Sequence, residues 1–588
     1  MAKKKKPKGH TGSIPESGKI SNKKRRNQRV EKPSKAELKS SPSWIAALKE
    51  YKTGFFLVLL LAFIPRMLHF LEVVDTPFFK RLHADPNMYY DWALRIIEGD
   101  WLSKADPVFY LGPLYPYFLS FIYSIAGPST SAAVFVQVVL STVSAALIYH
   151  LAHRLFGPLS GLAAGVMAAF YSMFIFYSSL LLGATLIIFL NLVMLTMIVS
   201  GLGKSVWWKW ALAGVCMGLS ACARGNVLLY SPFAALAVAL YFGIKQWKLW
   251  VMPVLLMAFF SLTAIMPVTL HNLLIGDDFV LLTANGGSNF FIGNNASSDG
   301  IYMRNATYKG RPMGLSVRDQ KANFPVVAKQ ELGLSEIQPS QVSSFWVGKT
   351  IEGINADVAG WISLLGNKSK YYFNQYEVPN NRNIYFSKQF AWILQQPLVT
   401  FGFVVPFALL GMFLVRKNFK NHAALFLFFI AHFIALLMFF VNARYRLIVA
   451  PILLVYSGAA LGWIIEKLRT GDYLRLAAAG LALLFVFSFA YVKVPRFSYR
   501  ANYTSLGNAY SKFGDQDKAL ENYDKAIAAS RSYYYAYFKK GQLLARLNRN
   551  AEAEKTYRQA LSLAKRDNNS LYVRRITGKL RQLQKAMQ

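Results

Sequence analysis

Acidic residues are scarce in this chain. Of its 588 residues 29 are Asp or Glu against 66 Lys or Arg, and charge of either sign occupies only 16% of the sequence. Soluble domains carry about 25% charged residues, so composition argues against a soluble enzyme of this length. Cysteine is nearly absent. Cys216 and Cys222 share one apolar run and, six residues apart on a helix, face different ways, which excludes a disulfide framework. No small-residue cleavage site follows the first apolar run, and a long basic stretch precedes it, so the start does not read as a secretory signal peptide. Paired Gly/Pro-broken spans in matching halves, a mark of many secondary transporters, are missing.

What the chain has is apolar length. Hydrophobic residues make up 54% and aromatics 15%, and runs such as "FFLVLLLAFI" (55–64), "LLLGATLIIFLNLVMLTMIV" (180–199) and "LAAAGLALLFVFSFAYV" (476–492) reach or approach the ~20 residues needed to cross a hydrocarbon core. The expected fold is all-α and polytopic. The net charge of +37 is uneven: "AKKKKPKGH" (2–10) and "NKKRRNQRV" (22–30) mix Lys and Arg with Pro, Gly and Asn in a tail over 1–52. That tail reads as disordered, cytoplasmic and held against anionic headgroups, with a nucleic-acid arm as the weaker reading and no nucleic-acid partner expected.

About eleven spans are expected, at 54–71, 131–153, 159–179, 180–201, 207–223, 226–243, 249–271, 394–415, 423–441, 446–465 and 473–492. With the N-terminus inside, the loops "HRLFG", "GKSVWWK", "KQWK", "RKNFK" and "EKLR" fall on the cytoplasmic side, each with Lys or Arg. This holds only if "GPLYPYFLSFIYSIAG" (112–127) lies at the outer interface instead of crossing. The expected organisation is a membrane module over 53–272 with a first outer loop (72–130), an outward loop domain over 273–393, membrane helices over 394–494, and repeats over 495–588. An inner or plasma membrane follows, with the C-terminal part outside the cytoplasm. In that part Tyr503, Gly507, Ala519, Tyr523 and Ala526 recur 34 residues later as Tyr537, Gly541, Ala553, Tyr557 and Ala560. The pattern resembles the tetratricopeptide repeat, an interaction module, and 570–587 reads as its capping helix.

"HADPNMYYDWALRIIEGDW" (83–101) is unusually polar for its surroundings. Asp85 before Pro86 is a helix start, with Asp as N-cap and Gly99 as the stop. Tyr89, Trp92, Ile96 and Ile97 form an apolar face suited to a membrane interface, so a plain interfacial helix is one reading. Five carboxylates in the loop (Asp85, Asp91, Glu98, Asp100, Asp106), beside Arg66, Arg224, Arg444 and Arg446 at outer span ends, suggest another. Guanidinium forks hold a phosphate while a carboxylate takes the proton of an incoming nucleophile. Arg66 fits a snorkelling side chain equally well. His271 reads better as a structural or hydrogen-bonding group than as a base, and Glu377 fits acceptor binding or plain loop structure.

The same stretch followed by "GPLYPYFLSFIYSIAG" resembles the first loop of the GT-C membrane glycosyltransferases, in particular the protein O-mannosyltransferase and lipid A aminoarabinose transferase group. "ACARGN" (221–226), "PVTLHNLLIGDDFVLLTANGGSNFFIGNN" (267–295) and "ARYRLIVAPILL" (443–454) are similar to further motifs of that group, in order. The resemblance implies Asp85 as catalytic base, supported by Tyr89 and Asp91, and a lipid phosphate held among Arg66, Arg224, Arg444 and Arg446. It also implies donor or acceptor contacts from His271, Asn272, Asn289 and Glu377, and transfer with inversion from a polyprenyl-phosphate sugar. No cofactor is expected, although a divalent ion stays compatible with it. Three positions depart from the family: Ala184 where a Glu is common, His271 where Arg precedes Asn, and Pro86 where many relatives carry a second acid. They leave a different substrate and an inactive homologue both open. The rival readings are a surface-polysaccharide polymerase or ligase, expected to carry its main outer loop late, and a non-catalytic scaffold displaying the repeats.

Overall fold

The computed structural model describes residues 50–587 apart from 83, 204–205, 303–305, 314–316 and 568. The basic tail lies outside the described residues, except for its last three positions. Within them the chain is an all-α polytopic membrane protein, with one two-residue hairpin, Thr307–Tyr308 against Arg311–Pro312. Eight helical stretches are long and apolar enough to cross a membrane, from Tyr51–Val73 to Tyr473–Ala490.

Three differences separate these eight from the eleven expected. The 207–223 segment is a 17-residue helix, Trp207–Ala223. Phe401–Met438 forms one apolar stretch containing the helices Phe401–Val415 and Phe419–Met438. The 159–179 segment breaks into Pro158–Ala169 and Ser172–Ser178. At that break the Ser172 amide donates to Val399 O at 2.9 Å and the Val399 amide to Phe170 O at 3.0 Å. Irregular backbone at membrane depth requires such partners, because no water is there to supply them.

The break also explains Arg66. Its guanidinium donates to Ala168 O at 3.0 Å, Ala169 O at 2.9 Å, Ala62 O at 2.7 Å and Ser141 Oγ at 2.8 Å, and the side chain is wholly buried. The Ala168 and Ala169 carbonyls belong to the last turn of a helix, where no intrahelical donor remains. Arg66 therefore caps a broken helix inside the bundle, with its guanidinium turned to protein acceptors.

The 273–393 segment packs a small core around Trp346, which meets Phe291 at a tilt at 4.6 Å and Phe324 edge-on at 4.8 Å, with Phe440 joining from beyond it. The C-terminal helices Arg500–Phe513, Gln516–Ala529, Tyr534–Arg546 and Asn550–Arg566 form two pairs, closed by Ser570–Met587 with Tyr572, Ile576 and Leu580 buried. The 34-residue period has a steric cause. A Cβ on Gly507 would lie 2.7 Å from the Tyr523 ring and one on Gly541 2.8 Å from the Tyr557 ring, so each pair closes by seating a ring on bare backbone.

Candidate active site

The loop over 72–130 folds onto the protein. The helix Asp85–Ile97 begins at Asp85 itself, with Ala84 in the N-cap position and Gly99 (φ 115°) beyond its end. Asp85 is thus not the N-cap, and its carboxylate makes no capping bond. Trp92 and Ile96 pack on Phe109, Trp92 Nε1 donates to Ser103 Oγ at 2.9 Å, and Tyr89 meets Tyr115 edge-on at 5.2 Å. The face expected at the membrane interface is therefore mostly spent on internal packing, with Ile97 left 38% exposed.

Ala84 has φ 58° and ψ −139°, a conformation that a residue with a Cβ adopts at a cost of roughly 1–3 kcal/mol and only when its surroundings impose it. The imposing contacts lie one residue on. Asp85 Oδ2 accepts from Arg444 Nη1 at 2.8 Å and from Asn381 Nδ2 at 2.9 Å, and the Asp85 amide donates to Asn381 Oδ1 at 3.3 Å. Asn381 itself has φ 59°. Two strained positions thus face each other across a two-way amide contact that fixes the carboxylate.

Arg444 is half-buried beside this carboxylate, and its Nε has no partner among the described residues. Burial opposes its charge, but Asp85 and the neighbouring tyrosines outweigh that and raise its pKa. Arg224 joins it from another element. Its guanidinium lies over the Tyr445 ring, Cζ 3.2 Å from the centroid, and no hydrogen bond or ion pair engages it among the described residues. Desolvation brings its pKa down to about 10, so it remains cationic at neutral pH. Close packing places it: a Cβ on Gly112 would collide with Ala223 O at 2.4 Å, so the 72–130 loop touches the helix end that carries Arg224. The Tyr89 hydroxyl, pushed up to about 12 by burial and then by the Asp85 charge, feels Arg444 and Arg224 as well. Asp85, Tyr89, Arg224 and Arg444 therefore share one site.

The other expected residues are elsewhere. Asp91 is exposed and accepts from Asn87. Arg446, two residues beyond Arg444, points into the protein. Its Nη1 donates to Tyr371 O, Tyr372 O and Asn374 O at 3.1, 3.2 and 2.5 Å, and its Nη2 to Tyr376 O at 3.1 Å and Glu377 Oε2 at 2.6 Å. It caps the helix Val358–Phe373 much as Arg66 caps another, so the structure does not bring it together with Arg444. Glu377 is its buried counter-ion, and desolvation raises the carboxyl pKa against the pull of Arg446. His271 stacks on Phe109 at 4.0 Å with both ring nitrogens unpartnered. Asn272 is a staple: its Oδ1 accepts from the Phe109 amide at 3.0 Å, and its Nδ2 donates to Val280 O at 2.8 Å. No contact links Asn289, on the helix Gly286–Asn294, to Asp85. Among the described residues no three His, Cys, Asp or Glu side chains converge as metal ligands.

Asn381 and Tyr445 are the members of the site that sequence reasoning missed. "EVPNNRN" (377–383) has turn composition, and nothing in it distinguishes the Asn that reaches back 296 residues from its neighbours. The segment also anchors the repeats: Phe386 meets Tyr499 and Tyr503 at 5.5 and 5.0 Å, and Phe78 at 5.9 Å.

Residues 110–271 match the family model described as dolichyl-phosphate-mannose-protein mannosyltransferase, a stretch that contains Arg224 and His271 and begins after Asp85. Residues 501–533 and 534–567 each match the tetratricopeptide repeat. No curated protein sequence matches the chain. Among solved structures it is similar to the apo oligosaccharyltransferase of Archaeoglobus fulgidus, with 15% identity, a TM-score of 0.44, and coverage of 82% of this chain and 60% of that one. The same enzyme with an inhibitory peptide and a dolichol-phosphate gives 16% identity, a TM-score of 0.39, and coverage of 81% and 59%. ArnT from Cupriavidus metallidurans bound to undecaprenyl phosphate gives 12%, 0.33, and coverage of 71% and 79%. The chain spans about 60% of the oligosaccharyltransferase it resembles.

Proposed function

We propose that this chain is a membrane glycosyltransferase that moves a sugar from a polyprenyl-phosphate donor to an acceptor on the non-cytoplasmic face. One observation carries the reading: a carboxylate whose Oδ2 is held by both Asn381 and Arg444 shares a site with Arg224, a half-buried cation with no ion pair among the described residues. A scaffold has no use for that arrangement. The family model over 110–271 bears the name of enzymes that use a dolichyl-phosphate sugar, which suits a cationic pair at the membrane boundary.

The sugar phosphate already has a good leaving group, so the useful contributions are deprotonation and charge neutralisation. Asp85 accepts the proton from the acceptor hydroxyl or amine as that atom bonds to the anomeric carbon. The bond from that carbon to the phosphate oxygen breaks on the opposite side, giving inversion. The electron pair stays on the polyprenyl phosphate, which Arg224 and Arg444 neutralise. Arriving phosphate competes with Asp85 for the Arg444 fork, loosening the ion pair just as the base is required. Tyr89 lines the same space, while Arg66, Arg446 and Glu377 maintain the walls.

The test uses purified protein in liposomes, a panel of polyprenyl-phosphate sugars, and release of polyprenyl phosphate as the readout. Wild type should consume at least one donor, and Asp85→Asn should not. Equal release by both removes Asp85 from the chemistry. Sidedness is tested separately: a reporter fused after residue 588 should behave as exported, and a cytoplasmic signal would overturn the orientation.

A further inference from the structure

A cavity of about 770 Å³ lies between the repeats and the 72–130 loop, and none of Asp85, Tyr89, Arg224 and Arg444 lines it. The repeats supply Lys512, Lys539, Arg546 and Lys579 to its lining, the loop supplies Arg81 and Leu82, and no acidic side chain lines it.

The distribution of charge in the repeats gives that lining meaning. Over 495–588 there are 19 Lys or Arg and 7 Asp or Glu. Six of the acids, Asp515, Glu521, Asp524, Glu552, Glu554 and Asp567, are ion-paired to cations outside the cavity. Three of the cavity cations that the repeats supply donate to neutral partners: Arg546 to Ser511 Oγ, Lys539 to Gln542 Oε1 at 3.3 Å, and Lys579 to Gln582 Oε1 at 3.0 Å. Burial lowers the Lys539 pKa, and repulsion from Lys512 and Arg546 lowers it further. Tyr523, Tyr535 and Tyr557 line the same space and offer apolar surface between the charges. A concave, tyrosine-bearing cationic groove suits a narrow anionic chain better than a flat bilayer. The chain's own tail, rich in Lys and Arg, has the wrong sign to fill it.

We propose that this groove binds an acidic, extended peptide segment of a protein partner, and that the partner is the acceptor. The second clause rests on the glycosyl-transfer reading; the first does not. Arg81 lies four residues before Asp85, a Cα separation of at most about 14 Å, and an extended peptide covers that in about four residues. A segment seated on Lys579 and passing out of the groove where Arg81 lines it thus presents its next few residues to the base. The preferred acceptor carries its modified side chain about four to six residues from an acidic cluster.

The test is a titration of full-length protein in detergent with a fluorescein-labelled peptide of alternating Glu and Ser, read by anisotropy. The control peptide has Gln in place of Glu. Wild type and Asp85→Asn should bind the acidic peptide equally, with affinity falling as salt rises. Lys539→Glu/Arg546→Glu should weaken binding by about tenfold or more. A folded charge-reversal protein, checked by unaltered unfolding temperature, that binds as wild type does would overturn the proposal. So would equal affinity for the Gln peptide, or binding to phosphatidylglycerol vesicles through these cations without binding to the peptide. If Lys539→Gln/Arg546→Gln serves because the reversal fails to fold, the same criteria apply. Binding by a chain that transfers no sugar keeps the groove and removes only its acceptor role.

Discussion

Arg446 and Arg224 look alike in the sequence, and replacing each by Met separates a structural arginine from a functional one. Arg446→Met strips donors from four backbone carbonyls and leaves Glu377 without its counter-ion. Glu377 Oε1 already has no partner among the described residues, so both carboxylate oxygens would then be buried and unsatisfied. Breaking a buried pair by removing one member costs about 3–5 kcal/mol, a large share of the roughly 5–15 kcal/mol that keeps a protein folded. Removing the orphaned charge as well, in Arg446→Met/Glu377→Leu, should restore much of the loss, because buried pairs replaced by apolar groups are often neutral. Cys216 and Cys222 are free and buried, so unfolding in detergent can be followed by their reaction with a thiol-specific fluorophore. The expected order of unfolding temperature is wild type equal to Arg224→Met, then the double variant, then Arg446→Met. An Arg446→Met protein as stable as wild type refutes the capping role.

Arg224→Met should weaken binding of undecaprenyl phosphate by about 10–100-fold, the value of one or two charge-assisted hydrogen bonds. In wild type that binding should fall as pH passes about 10, where Arg224 loses its proton, and the variant should lack this limb. Asn381→Ala should lower kcat by about tenfold with KM for donor nearly unchanged, since Asn381 only aims the base; a change confined to KM contradicts that. Lys368 Nζ is buried against Asn294 Oδ1 and Leu437 O at 2.7 and 2.8 Å, and desolvation pulls its pKa down to about 7. Between pH 7 and 10 the folded state then binds fewer protons than the unfolded one, so stability rises with pH over that window. Lys368→Met should flatten the rise; an unchanged slope would place the titration elsewhere.

Much of the architecture is legible because its signals are local. Apolar runs fix the helices, and the Gly507/Tyr523 and Gly541/Tyr557 contacts impose a period visible without any structure. The break at Phe170 was not legible, since an apolar run reads alike whether continuous or broken and the compensating partner, Val399, is far along the chain. The same cause hides the fate of the arginines. Arg66 and Arg224 both sit at ends of apolar runs, and only the carbonyls left by the broken helix draw Arg66 inward. Arg444 and Arg446 stand two apart on the short helix Ala443–Arg446, a spacing that turns side chains to opposite sides. The polar surroundings of Asp85 are visible in the sequence, but its pairing with Asn381 is not, since that contact spans 296 residues.

The account turns on Asp85 as the base in a site whose phosphate ligands are Arg224 and Arg444. The most direct measurement is steady-state turnover of a polyprenyl-phosphate sugar by Asp85→Asn and wild type in proteoliposomes, with undecaprenyl phosphate binding measured on the same samples. The account predicts a kcat about 10²–10⁴-fold lower in Asp85→Asn, with lipid-phosphate binding equal to or tighter than wild type because Arg444 is released from its pair. Wild-type turnover by Asp85→Asn, or loss of binding without loss of kcat, would contradict it.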